Sequence, residues 1–506
     1  MRYHWFSVLF FLIVVPLANF ATPLSPWDDM HVKHTWHAVP VGWESLGHPR
    51  TSTTIDLYIA LKAERENALI DALSEVSDPK HPRHALPFLR LYLHSRVPLP
   101  RFRYGEHLFK EQVAELVRPP SDTLELVRAW LVHHDIRSSS ISTTHGGAWL
   151  TVTDVLVSQA NQLLGASYEL YRNTKTNETI TRTVGYALPA VLHAQIEDIA
   201  PTTYFAPVRM TQQTTRRRSL GLAPEQAEVA SGKPVTARSA SRAGVTPSIL
   251  RWLYGTETYV AAAAGRNQLG VVGFAGEYPS QEDLTRFTTS YDTYAADAAF
   301  TVVQVGGGGY NPNNPNERSN TNVQYAATMG YPTPLTFYSV GHLGDPFLTW
   351  LDYLVSQPNI PQTIAISYLD MEENVGPGYA TAVCNLFGQL GLRGVSVLVA
   401  SGINGVGAGD CVYFAPEFPS SCTCDILSLL HKYKYKSLTR PPRFRRSLGH
   451  YRRRYYRNQP RVRRELLRRR FLELLSAPSL SDQCGTQIPP GTRRQLSGSL
   501  QVRSLL

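Results

Sequence analysis

Residues 391–411 read GLRGVSVLVASGINGVGAGDC. The run from Val395 to Ala400 is apolar, then breaks at Ser401-Gly402 into a glycine-rich loop. That is how a buried parallel strand ends at the carboxyl edge of an α/β sheet, where such folds place their sites. The same grammar repeats upstream. Short apolar runs at 269–274 (LGVVGF), 300–305 (FTVVQV), 335–340 (LTFYSV) and 363–367 (TIAIS) read as strands. Helical segments are predicted at 280–296, 320–330, 345–356 and 376–391. Strands alternating with helices predict a parallel, doubly wound sheet over 245–422.

Residues 36–207 read as a separate α+β domain. Thr54 to Leu61 alternates like a half-buried strand, and ENALIDALSEVSDP carries apolar residues at helical spacing up to Asp78-Pro79. Further on, Pro119-Pro120 splits EQVAELVRPPSDTLELVRAWLVHHDI into two short helices. Residues 208–244 are polar, basic and poor in large apolar groups, which predicts an exposed linker. Within it Arg216-Arg217-Arg218 is a candidate processing site.

The ends differ from the body. Arg2 and His4 precede an apolar run from Trp5 to Leu17, with small residues at Ala18 and Ala21. This predicts a secretory signal over 1–21, too short to span a bilayer comfortably, and hence an extracellular protein with no membrane partner. The chain's net charge is +10, yet residues 432–470 alone hold 17 Lys/Arg against Glu465. That stretch carries +16, so the remainder is −6. Tyrosines and Phe444 interleave with the cations of the 423–506 tail, a composition able to contact phosphates and stack on bases. For a secreted chain a nucleic-acid partner is not expected. The five cysteines are Cys384, Cys411, Cys422, Cys424 and Cys484, an odd count in a compartment that permits disulfides. One residue between Cys422 and Cys424 is not a zinc-ligand spacing, so no metal site is expected. Asn177-Glu178-Thr179 is a glycosylation sequon. His145-Gly146-Gly147 lacks the GxSxG elbow that would make it an esterase loop.

Several specific pieces carry a family resemblance: VSDPKHPR, YGEHLFKEQVAELV, GGAWLTV, RTVGYALPAVL and APTTYF in the first domain. In the second, the TP…LR-x-LY opening at 246–254, TNVQY, SYLDMEE and SGINGVG add to it. In that order they resemble the sedolisin (serine-carboxyl) peptidases, nearest the fungal tripeptidyl-peptidase-like members. The resemblance covers roughly 36–422. It implies a pro-kumamolisin-like activation domain over 36–207, then a partial, subtilisin-like peptidase domain over 245–422. A 20-residue insertion at 84–103 interrupts the first; it reads either as a loop insertion or, the reading we prefer, as translated non-coding sequence. It also implies peptide or protein substrates, acid-optimal serine-type hydrolysis, and calcium in a C-terminal loop that has no counterpart here. No cofactor is therefore expected.

The family's chemistry needs a Ser nucleophile, a Glu base, an Asp that orients the Glu, and a second Asp at the oxyanion. Glu and the first Asp lie four residues apart on one helix, about 400° and so on one face. Here E-x-x-x-D-V-Q-Y becomes R-S-N-T-N-V-Q-Y, which puts Arg318 in the base slot and Asn322 in the orienter slot. The oxyanion Asp of SGDSGVG is Ile403, and no GTS nucleophile motif occurs. Arginine accepts no proton at ordinary pH, and an aliphatic chain donates nothing to an oxyanion. Glu317 lies five residues from Asn322, about 140° around the helix, and points elsewhere. Asp345 reads as a helix cap. Asp370 and Glu372-Glu373 read as structural or as the cleft's rim. Groups that act as a unit fail together, so the expectation is a peptidase homologue without activity. The competing expectation is a binding or inhibitory protein whose propeptide-like domain docks on active relatives.

Overall fold

The computed structural model describes residues 25–65, 67–77, 105–205, 245–262, 265–274, 276–341, 345–400 and 416–422. The predicted signal, the 84–103 insertion, Arg216 to Arg218, Ile403 and the basic tail lie outside the described residues.

The first unit begins one strand earlier than the sequence suggests. Its strands are β1 (Met30–Thr35), β2 (Trp43–Ser45), β3 (Thr54–Leu61), β4 (Ile141–Thr143), β5 (Trp149–Leu156), β6 (Glu169–Asn173), β7 (Thr179–Arg182), β8 (Gly185–Pro189) and β9 (Ile196–Ala200). Its helices are α1 (Ala68–Ser77), α2 (Lys110–Leu116), α3 (Ser121–His133) and α4 (Val157–Leu164). β1 belongs to this unit because it pairs antiparallel with β8. The central sheet runs β4-β5-β3-β9, antiparallel throughout. Strand side chains alternate between faces. So Leu57, Ile59 and Leu61 of β3 bury against Trp130, Leu131 and Leu163 of α3 and α4, while Tyr58 and Ala60 face the other way.

The second unit holds α5 (Pro247–Tyr254), β10 (Leu269–Phe274), α6 (Gln281–Tyr291), β11 (Phe300–Val305), α7 (Glu317–Gly330), β12 (Leu335–Val340) and α8 (Pro346–Ser356). After these come β13 (Thr363–Ile366), β14 (Asp370–Met371), α9 (Pro377–Leu392), β15 (Ser396–Val399) and β16 (Glu417–Phe418). Its main sheet runs β11-β12-β10-β13-β15, and every pair is parallel. Val271, Leu335 and Phe337 pack against α6 and α7; their neighbours Val272, Tyr338 and Val340 pack toward α8 and α9. Helices therefore cover both faces, as a parallel sheet of continuously apolar strands requires. α7 starts at Glu317 rather than 320, because Asn316 caps it by accepting from the Arg318 N–H at 2.8 Å. The helix expected over 280–296 stops at Tyr291 and a short 3-10 turn follows.

The free face of the first unit's sheet lies against α9, and α1 packs beside it. Tyr58, Ala60, Trp149, Ala200 and Tyr204 join Leu386, Phe387 and Leu390 in one core. One disulfide among the described residues, Cys384–Cys422, ties α9 to the segment after β16.

Candidate active site

The carboxyl ends of β10, β12 and β13 gather the polar groups the sequence singled out. α7 begins over this edge, and its cap fixes Arg318 in the first turn with Asn322 one turn later. Both are half-buried. The structure thus brings these two predicted positions together on one helix. The Asn322 side-chain oxygen accepts from the Ser367 hydroxyl at 3.0 Å, just past the end of β13. The Arg318 guanidinium lies over the Tyr368 ring, 5.1 Å from its centroid. Tyr368 donates its hydroxyl to Glu277 Oε2 at 2.5 Å and accepts from the Phe274 N–H at 3.2 Å. Burial pushes the Tyr368 hydroxyl far above its ordinary range, with the Glu277 carboxylate adding to the effect and Arg318 opposing it.

Sequence reasoning missed Glu277, Ser367 and Tyr368 as a group. The signal was available for Glu277: it sits in the turn that leaves the carboxyl end of a buried strand. Glu317 is exposed. Asn322 supplies hydrogen bonds without charge, and Arg318 supplies charge of the wrong sign for a base.

A second polar group lies beside the first, where the two units meet. Asp345 caps α8 as expected, accepting from the Leu348 N–H at 3.2 Å, and it also accepts from the Tyr379 hydroxyl at 2.6 Å. It is buried, and desolvation raises its pKa against the pull of Tyr379 and Arg182. Asp370 is likewise buried, and its Oδ1 accepts from the Met371 N–H and the Asn374 amide, both at 2.8 Å. Asp198 of the first unit accepts from the Tyr186 hydroxyl at 3.0 Å, and burial lifts it to about 7. No three His, Cys, Asp or Glu side chains among the described residues are grouped to hold a metal ion. No helix among those residues is long and apolar enough to cross a membrane.

Asn177 is exposed at φ 61° in the turn joining β6 to β7, where its N–H donates to the Asn173 carbonyl at 2.9 Å. The sequon therefore stands on a hairpin tip.

Comparison with known families supplies the class. The model described as "Pro-kumamolisin, activation domain" matches residues 100–205. Residues 100–205 thus match this activation domain, and most of the chain is similar to fungal tripeptidyl-peptidases. Tripeptidyl-peptidase SED2 of Arthroderma otae is 28% identical over 444 residues, 82% of this chain and 69% of the relative. A probable tripeptidyl-peptidase SED2 of Arthroderma benhamiae is 28% identical over 412 residues, 76% of this chain and 64% of its own length. Tripeptidyl-peptidase SED4 of Arthroderma otae is 26% identical over 438 residues, 81% of this chain and 67% of the relative. The matched stretch thus spans 64–69% of these relatives' lengths.

Proposed function

We propose that this is a secreted sedolisin-family protein whose cleft has lost the serine-carboxyl machinery, so that the chain itself does not hydrolyse peptides. The observation that carries the reading is the pairing at the head of α7. Arg318 stacks on Tyr368 and Asn322 accepts from Ser367, where the resemblance requires two carboxylates. Ile403 in the oxyanion slot and the missing GTS motif extend it from the sequence. The parallel sheet with helices on both faces supports a subtilisin-like second unit. We assign 36–207 to the activation domain, with β1 added, and 245–422 to the partial peptidase domain. The Cys384–Cys422 disulfide supports passage through an oxidising compartment, and the exposed sequon supports glycosylation at Asn177. Arg216-Arg217-Arg218 remains the proposed processing site. No cofactor is assigned to the chain.

The test is an assay of the purified protein at about pH 4 with an N-terminal tripeptide reporter. No turnover above that of a heat-treated control is expected; turnover that responds to substitution of Arg318 or Asn322 refutes the reading. The competing reading is a docking role for the first unit, which would use the apolar face that it lays on α9. On that reading the full chain slows an active relative in the same assay.

A further inference from the structure

A groove of about 500 Å³ opens along α9, and no residue of the α7 head lines it. Its floor is one face of α9. Ala380 and Thr381, then Cys384 and Asn385, then Gln389 line it at helical spacing. The groove therefore follows the helix for nine residues, about 13 Å. The opposite wall is built from the end of β3, the start of α1 and Trp149 of β5. Leu69 and Ile70 of α1 and the Trp149 ring make that wall apolar. A volume of this size lies within the range of small-ligand sites, about 300–1,000 Å³.

One buried group in this groove lacks a partner. Gln389 is only 8% exposed, yet its side-chain amide makes no hydrogen bond among the described residues. A buried amide left so is unfavourable, and a ligand that bonds it recovers the loss. The amide offers one acceptor oxygen and two N–H donors, which complement a peptide group. Four charged side chains also line the groove. Lys62 and Arg65 lie between β3 and α1, on the wall facing α9. Glu197 of β9 and Glu372 lie by the first turn of α9, where a Cβ on Gly378 would come 2.7 Å from the Glu197 carbonyl oxygen. None of the four is in an ion pair or a side-chain hydrogen bond among the described residues. Lys33 also acts on Glu197, but its ammonium donates to the Ile196 carbonyl at 2.7 Å. An apolar slot with a buried amide and separate acidic and basic groups complements a chain that is apolar along its length and charged at both ends. A slot of about 13 Å takes about four extended residues.

We infer that this groove is a binding site for a short peptide, about four residues long, with apolar side chains and both ends free. Its backbone bonds the Gln389 amide, and its side chains lie on Leu69, Ile70 and Trp149. Its ammonium faces Glu197 and Glu372, and its carboxylate faces Lys62 and Arg65. The binding is non-covalent, and the inference is independent of whether the chain hydrolyses peptides.

The experiment titrates the full chain with the peptide Ala-Leu-Leu-Ala in a calorimeter at pH 7, where both peptide ends are charged. Mass spectrometry of the recovered peptide separates binding heat from any hydrolysis. Saturable binding of one peptide per chain is expected, with a Kd below about 1 mM. Capping both peptide ends, with acetyl and amide groups, is expected to weaken it at least tenfold. Thr381→Trp changes an exposed position on the groove's floor and fills the slot. It is expected to abolish binding while circular dichroism stays unchanged. Gln389→Leu is expected to weaken binding at least tenfold. If Gln389→Leu fails to fold, Lys62→Gln with Glu197→Gln replaces it and is expected to make free and capped peptides bind alike. The inference is overturned by an absence of saturable heat, by a capped peptide that binds as well as the free one, or by folded Thr381→Trp that binds like the parent.

Discussion

On the reading proposed above, Arg318 and Asn322 stand where a catalytic pair would, and each has a partner suited to what it is: Arg318 the Tyr368 ring and Asn322 the Ser367 hydroxyl. Tyr368 is the hinge of that arrangement: its ring takes the guanidinium and its hydroxyl satisfies buried Glu277. Tyr368→Phe removes that donor and leaves the carboxylate short of a partner, which is expected to cost about 1–3 kcal/mol in urea unfolding. The double change Arg318→Glu with Asn322→Asp restores two carboxylates on one face of α7, yet no tripeptide release is expected at pH 4, because an oxyanion donor and a nucleophile are still lacking. Asp198 sets a pH dependence. Its carboxyl is raised from an ordinary 3.8 to about 7, so the stability it supports is complete in acid and is lost as pH climbs between those values. His34 and His134 are lowered by burial and act oppositely, costing stability as pH falls below their ordinary range. Asp198→Asn is therefore expected to flatten the loss between pH 4 and 7, on the order of a few kcal/mol, in unfolding curves taken across that range. That Arg318 and Asn322 share one helix was legible in the sequence, because a four-residue spacing places two side chains one turn apart. The Tyr368–Glu277 contact was not, since it joins turns after two different strands, 91 positions apart.

At the scale of elements, strand alternation did most of the positioning. The strands expected at 269–274, 300–305 and 335–340 have those bounds in the structure, because continuous apolar runs between glycine and proline turns leave little room for a shift. Helix starts were less visible. α7 begins three residues early because the Asn316 side chain caps it, and asparagine favours turns as readily as caps. The pairing of Cys384 with Cys422 was beyond the sequence, since five cysteines allow many connectivities. The bond closes a stretch of 38 residues that includes β15. Chain-entropy reasoning puts its contribution at about 4 kcal/mol. Cys384→Ala with Cys422→Ala is expected to lose most of that, read as a lower denaturant midpoint with a somewhat steeper slope, since the unfolded chain is no longer cross-linked.

On the scale of the whole molecule, the order of layers follows from which face each strand presents. α3 and α4 cover the antiparallel sheet, α9 and α1 lie between the sheets, and α6 and α7 close the far side of the parallel sheet. The first unit cannot leave without exposing the apolar side of α9. Calorimetry of the intact chain is accordingly expected to show one transition for both units; two separated peaks would mean that the shared core contributes little. Nothing in the sequence revealed that the cores of the two units merge, since that contact depends on how two sheets stack through a helix.

The Cys384–Cys422 bond also has a mechanical consequence. A chain stretched from its two ends would bear the load around that bond, and the enclosed stretch would stay slack. Some 130 Å of reach would be withheld until a reductant was added. Single-molecule extension curves with and without reductant would show that difference as a step of fixed length.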